Sequence, residues 1–139
     1  MSDDGLAVAH AASELVGVPF RLHGRDPEQG LDCIGVAACA LKAAGFQAIA
    51  PCGYSLSNSS IDRHLRCAGA SGLEPAESPV QPGDIVLVTP GPAQHHLLVA
   101  DAAGGFVHAH AGLRRVVNVP APLPWPVIRI WRPKPRIED

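Results

Sequence analysis

Residues 31–41 read Leu31-Asp32-Cys33-Ile34-Gly35-Val36-Ala37-Ala38-Cys39-Ala40-Leu41, and this stretch decides the fold. From Cys33 to residue 44 the sequence is apolar nearly all round, the pattern of a helix enclosed on every side by protein. Asp32 is suited to cap its N-terminus and Gly45 to end it. Cys33 falls in the first turn, where backbone N–H groups lack helical partners and favour an anion. Two readings of Cys33 follow. It is either a small core residue or a nucleophile whose thiolate is stabilised by the helix end and a nearby imidazolium.

Upstream, Asp3 or Asp4 can cap a first helix carrying Leu6, Val8, Ala9, Ala12, Leu15 and Val16, with Gly17 as a left-handed stop. Residues 18–31 contain Pro19, Gly24, Pro27 and Gly30 and read as a loop of specific shape. Downstream, a third helix is expected over residues 59–68 and a linking loop over 69–82. The period then changes from helical to extended. Strands are expected over 84–89, 96–101, 105–110, 115–119 and 127–131, with 96–110 forming a hairpin about Ala102-Ala103-Gly104. Helices followed by strands indicate an α+β fold, the nucleophile helix packed on an antiparallel sheet.

The chain has 139 residues, enough for one domain over 1–139, with 132–139 read as a flexible tail. Only 4% of residues are aromatic, so the core is expected to be aliphatic. Net charge is −2 and the eleven basic residues form no dense block, which argues against a nucleic-acid partner. No apolar stretch reaches membrane-spanning length, so no membrane insertion is expected. The start, Met1-Ser2-Asp3-Asp4-Gly5, is acidic where a signal peptide is basic, so synthesis in the cytoplasm without a signal peptide is expected. Any work outside the cytoplasm would then need a carrier. The four cysteines form no CxxC pair, so no zinc-ribbon or thioredoxin motif is present, and Cys39, Cys52 and Cys67 read as small buried residues.

Histidines supply a partner for Cys33. Strand side chains alternate, so His96, Leu98 and Ala100 share one face of their strand, and on the returning strand Phe106, His108 and His110 also share a face. A hairpin centred near Ala102 brings His96 across from or diagonal to His108. In a Cys33–His96–His108 triad, His96 takes the thiol proton and His108 fixes its tautomer, although His110 lies on the same strand face as His108. His95 points the other way, and His10, His23 and His64 read as surface residues. A zinc shell of Cys33, His95, His96, His108 and His110 is the rival. No HExxH motif supports it, and no carboxylate pairs with the histidines except Asp101, so no metal or cofactor is expected.

Five segments resemble, in order and spacing, the motifs of the NlpC-type (papain-like) cell-wall endopeptidases. Residues 15–21 (Leu15 to Arg21) resemble "hxGTPYxxGG", and Leu31-Asp32-Cys33-Ile34-Gly35 resembles "hDCSGh". Gln81-Pro82-Gly83-Asp84-Ile85-Val86-Leu87 is similar to "PGDLVhF", His96-Leu97-Leu98-Val99-Ala100 to "HVGIY", and Phe106-Val107-His108-Ala109 to "FIHA". The resemblance implies a minimal papain-like fold. It also implies a cysteine peptidase of peptidoglycan stem peptides, cutting between γ-D-glutamate and the diamino acid. It assigns Cys33 as nucleophile, His96 as base and His108 as its orienting residue, with no cofactor. Asp32 would help to receive the free amino end of the stem peptide, beside its role as helix cap. The family's Tyr is Phe20 here; losing its hydroxyl would cost about 2–4 kcal/mol at the oxyanion unless His23 replaces it. Its Ser after the nucleophile is Ile34, a change of packing. A lone catalytic domain of this type most resembles peptidases carried with phage tails and gene-transfer particles, which makes phage-tail proteins a second class of partner. The alternatives are a non-catalytic tail or wall-binding module on the same fold, and a thiol amidase or acyltransferase.

Overall fold

The computed structural model describes residues 3–46, 72–90 and 96–134. Two helices come first, α1 (Asp3–Ser13) and α2 (Cys33–Ala43), with a small ribbon of β1 (Arg25–Asp26) and β2 (Gly30–Leu31) between them. Six strands follow: β3 (Leu73–Ala76), β4 (Ile85–Val88), β5 (His96–Ala100), β6 (Phe106–His110), β7 (Arg115–Val119) and β8 (Val127–Pro133). They form one sheet in the order β3-β8-β4-β5-β6-β7, antiparallel throughout.

Both helices pack on one face of this sheet. Val8, Ala12, Leu31, Val36, Ala40 and Leu41 meet Ile85, Leu87, Val99, Val107, Ala109, Val116 and Trp131 in an aliphatic core. Small residues on α2 let it lie close to the strands. Asp32 caps it, its side chain accepting from Gly35 N–H, and Gly45 follows in the left-handed region at φ 94°. The other face carries Val86, Val88, Leu98, Ala100 and Phe106. It is covered by Leu123 and Trp125 from the proline-rich connection between β7 and β8, with Val119 at the end of β7 beside them.

Three expectations need correction. The stretch 69–82 holds a strand, β3, paired to β8 from Leu73↔Pro133 to Ala76↔Ile130. Pro75 is accommodated because β3 is an edge strand, where a missing N–H costs no ladder bond. Residues 132 and 133 are not part of a flexible tail: Arg132 and Pro133 belong to β8. Arg132 donates twice to the fully buried Asp84, Nε to Oδ1 and Nη2 to Oδ2, each at 2.9 Å. That fork keeps Asp84 paired, which is worth about 1–3 kcal/mol against leaving it buried alone. The first helix also ends three residues before Val16, in a turn whose Gly17 N–H donates to Val116 O and so joins residues 17–20 to the free edge of β7. The helix expected over 59–68, together with Cys52, Cys67, His64 and His95, lies outside the described residues. Among the described helices, none is long and apolar enough to cross a membrane.

Candidate active site

Cys33 is the first residue of α2 and is only 6% exposed. Burial pushes its thiol up to about 11; the Leu97 N–H pulls it down, the Asp32 carboxylate pushes it up, and Ile34 N–H and Arg25 pull it down. Desolvation wins, so at neutral pH Cys33 rests as a thiol. The expected preformed thiolate is therefore corrected: the helix end is there, but the sulfur sits too deep for it to dominate. The Leu97 N–H fixes where the thiol lies, at the start of β5 and one residue from His96.

Asp32 has no exposed side-chain surface. Its Oδ1 accepts from Gly35 N–H at 2.8 Å and from Arg25 Nη1 at 3.0 Å, and its Oδ2 accepts from His23 N–H at 2.8 Å. His23 has φ 63°, a left-handed turn that aims its N–H at this carboxylate. The contribution of His23 here is thus made by its backbone, and its side chain is exposed. Of the two roles open to Asp32, helix capping is visible in these bonds, and what covers it on the outside is Arg25. Close backbone packing holds the arrangement: a Cβ on Gly35 would overlap the Gly24 carbonyl oxygen, so β1 and its loop press directly on the first turn of α2. Phe20 is half-buried and packs on the same core as Cys33.

The histidines come together as the strand pattern requires. Val99↔Val107 is the register of β5 on β6, so His108 is diagonal to His96, and His96 Nδ1 lies 3.2 Å from His108 Nε2. His110 is next to His108, ring centroids 5.4 Å apart, but its Nδ1 accepts from Leu113 N–H at 3.1 Å, a bond into the β6–β7 turn. Between the two candidates for the third position, His108 is the one bonded to His96. Trp125 meets the His108 ring edge-on at 5.5 Å. The imidazoles occupy the sheet face opposite α2, and Cys33 approaches the same end of β5 from the helix side. Among the described residues, no three His, Cys, Asp or Glu side chains group as a metal site needs. A cavity of about 360 Å³, lined by Val80, Asp101, Phe106 and Ala121, lies by the β5–β6 turn and includes none of these site residues.

His108 is 3% exposed, and burial lowers its pKa to about 4, with His96 and His110 adding to the shift. An unfolded chain binds that proton near 6.5, so between 6.5 and about 4 the unfolded state holds more protons. Stability is therefore expected to be full above pH 6.5 and to fall as pH drops towards 4. The loss is up to about 3 kcal/mol, or roughly 10 °C in Tm. Melting curves at pH 7 and 4.5 check this, because His108→Phe should flatten the difference; an unchanged pH slope in that variant would refute it.

Sequence reading missed Arg25, which is one of several charges in a turn-rich loop, and Trp125, which sits among prolines. Cys39, expected to be buried, is half-exposed with its thiol 3.4 Å from Arg25 O. His10 is exposed, as expected.

Helices on one face of an antiparallel sheet, with a cysteine-headed helix meeting a histidine-bearing strand, make a papain-like α+β fold. Solved structures of NlpC/P60 proteins share it. NlpC2 from Trichomonas vaginalis superposes with TM-score 0.73 at 21% identity, over 95% of this chain and 47% of that one. NlpC1 from the same organism gives 0.71 at 20% identity, over 95% and 45%. The NlpC/p60 domain of peptidoglycan hydrolase SagA gives 0.56 at 22% identity, over 82% and 86%. The chain thus spans just under half the length of the two Trichomonas proteins. No family model and no curated protein matches it.

Proposed function

We propose that the chain is a cysteine peptidase of peptidoglycan stem peptides, with Cys33 as nucleophile, His96 as general base and His108 as its orienting partner. The observation that carries this reading is the His96–His108 contact of 3.2 Å at the strand end where the Leu97 N–H meets the Cys33 thiol. SagA is described as a peptidoglycan hydrolase, which supports the substrate class.

The tautomers follow from the task. To take a proton at Nε2, His96 must carry its own on Nδ1 and donate it to His108 Nε2. His108 then carries its proton on Nδ1, a buried nitrogen with no hydrogen-bond partner among the described residues. The thiol is not ionised at rest, so its proton must pass to His96 around the end of β5, where Cys33 comes from the helix side and the imidazole from the other face, as sulfur attacks the carbonyl carbon. The oxyanion is met by the Cys33 backbone N–H, in the first turn of α2. His96 returns the proton to the leaving amine as the C–N bond breaks, and water then hydrolyses the thioester.

The γ-D-glutamyl–diamino acid bond as target, and carriage by a phage-tail particle, are the finer parts of this reading and rest on the motif resemblance. Incubating the chain with a stem tetrapeptide and weighing the products tests it. Two fragments summing to substrate plus one water are expected. A product carrying an added group would instead mark acyl transfer. Saturable binding with no product would favour a non-catalytic wall-binding module, a reading that the deep burial of Cys33 and Phe20 in place of Tyr keep in play.

A further inference from the structure

The end of the sheet that carries His96 also carries a cation that the chemistry above does not use. His110 pairs directly with Arg115 across β6 and β7, so their side chains leave the same sheet face. That face is the imidazole face, since Val116 points into the helix-side core and Val119 packs on the other. Extending the β5–β6 register by three residues places His96 opposite His110, so one row crosses the sheet as His96, His110, Arg115 and then Pro19, which bridges to Arg115. Arg115 is exposed, and no side-chain hydrogen bond or ion pair engages it among the described residues. His110 is half-exposed, and the bond from Leu113 N–H to its Nδ1 leaves the ring proton on Nε2. Two donors, one charged and one with its tautomer already set, therefore stand side by side in the row.

We propose that Arg115 and the His110 Nε2–H form a carboxylate-recognition subsite, so that the peptide taken by this site bears a free carboxylate near the bond to be cut. The proposal rests on the stem-peptide reading and narrows it. Strands are spaced about 4.8 Å apart, which puts Arg115 about 10 Å from β5. About three extended peptide residues, at roughly 3.3 Å each, span that gap. A guanidinium binds a carboxylate through two parallel N–H groups, which lysine cannot imitate and an amide does not invite. The subsite would therefore distinguish stem peptides with free carboxylates from those in which the carboxylates are amidated.

Two measurements test it. In Cys33→Ala protein, which leaves the ligand uncut, a stem peptide with its glutamyl carboxylate free is expected to bind about 10-fold tighter than its amidated twin. Arg115→Gln should abolish that difference without changing affinity for the amide, and Arg115→Lys should keep part of it. Equal affinities for acid and amide, or discrimination surviving Arg115→Gln, would overturn the subsite. In the second, N-acetylglutamate is titrated into the full chain while the His110 ring signals are followed by NMR. Saturable shifts lost in Arg115→Gln are expected, and no shift up to high millimolar probe would overturn the proposal. Shifts with no cleavage of any stem peptide would leave the subsite standing and bring down the peptidase reading instead.

Discussion

Cys33→Ala is expected to lower stem-peptide hydrolysis by about 10⁴-fold or more while the fold stands, because removing a nucleophile disables the whole unit. The substitution deletes one sulfur from a packed site, so its cost in stability should stay near 1 kcal/mol. The thiol's condition makes a second, independent part of the same expectation. With burial holding it near 11, alkylation by iodoacetamide at pH 7 should be slow and should speed up about tenfold per pH unit towards that value. Circular dichroism and a mass-resolved peptide assay check the first part; the alkylation profile checks the second. Undiminished hydrolysis in Cys33→Ala would sink the nucleophile assignment. Rapid alkylation at pH 6 would instead show that the sulfur is ionised at rest.

Asp32→Ala is expected to cost about 4 kcal/mol, the second largest effect. The change strips the N-cap of α2, leaves the Gly35 and His23 N–H groups without this acceptor, and takes the carboxylate from Arg25. That is a large part of the 5–15 kcal/mol that separates folded from unfolded states in domains of this size. Urea unfolding should show a midpoint lower by roughly 2 M with little change in slope. Asp32→Asn keeps an acceptor for Gly35 but loses the charge, so it should fall between the two proteins. A loss below 1 kcal/mol for Asp32→Ala would mean that water replaces these partners, and that the carboxylate is less enclosed than its geometry indicates.

Local signals carried much of this structure. Asp32, the apolar run after it and Gly45 define α2 by capping and composition alone, and the structure follows them to the residue at its N-terminus. The twelve-residue spacing of His96 and His108 sets a hairpin with both rings on one face, and the observed register agrees. What was not legible depends on depth and on distant neighbours. The ionisation of Cys33 is decided by how far α2 sinks against β5, which no spacing encodes. Arg25 pairs with a residue in another element, and Trp125 reaches His108 from a connection whose prolines advertise only a break. β3 was hidden because Pro75 is a strand breaker everywhere except at an edge, and edges are set by tertiary order.

The contact between Gly24 and Gly35 has an evolutionary corollary. Where two main chains touch with no side chain between them, neither can drift without unseating the other, so this seam at the first turn of α2 is frozen. Freedom lies a few residues away, at Asp26, Pro27, Glu28 and Gln29, which water surrounds on the tip of the same small ribbon. Adaptation of this scaffold to a different substrate is therefore expected to be written at that tip, with the glycine seam beneath it left untouched.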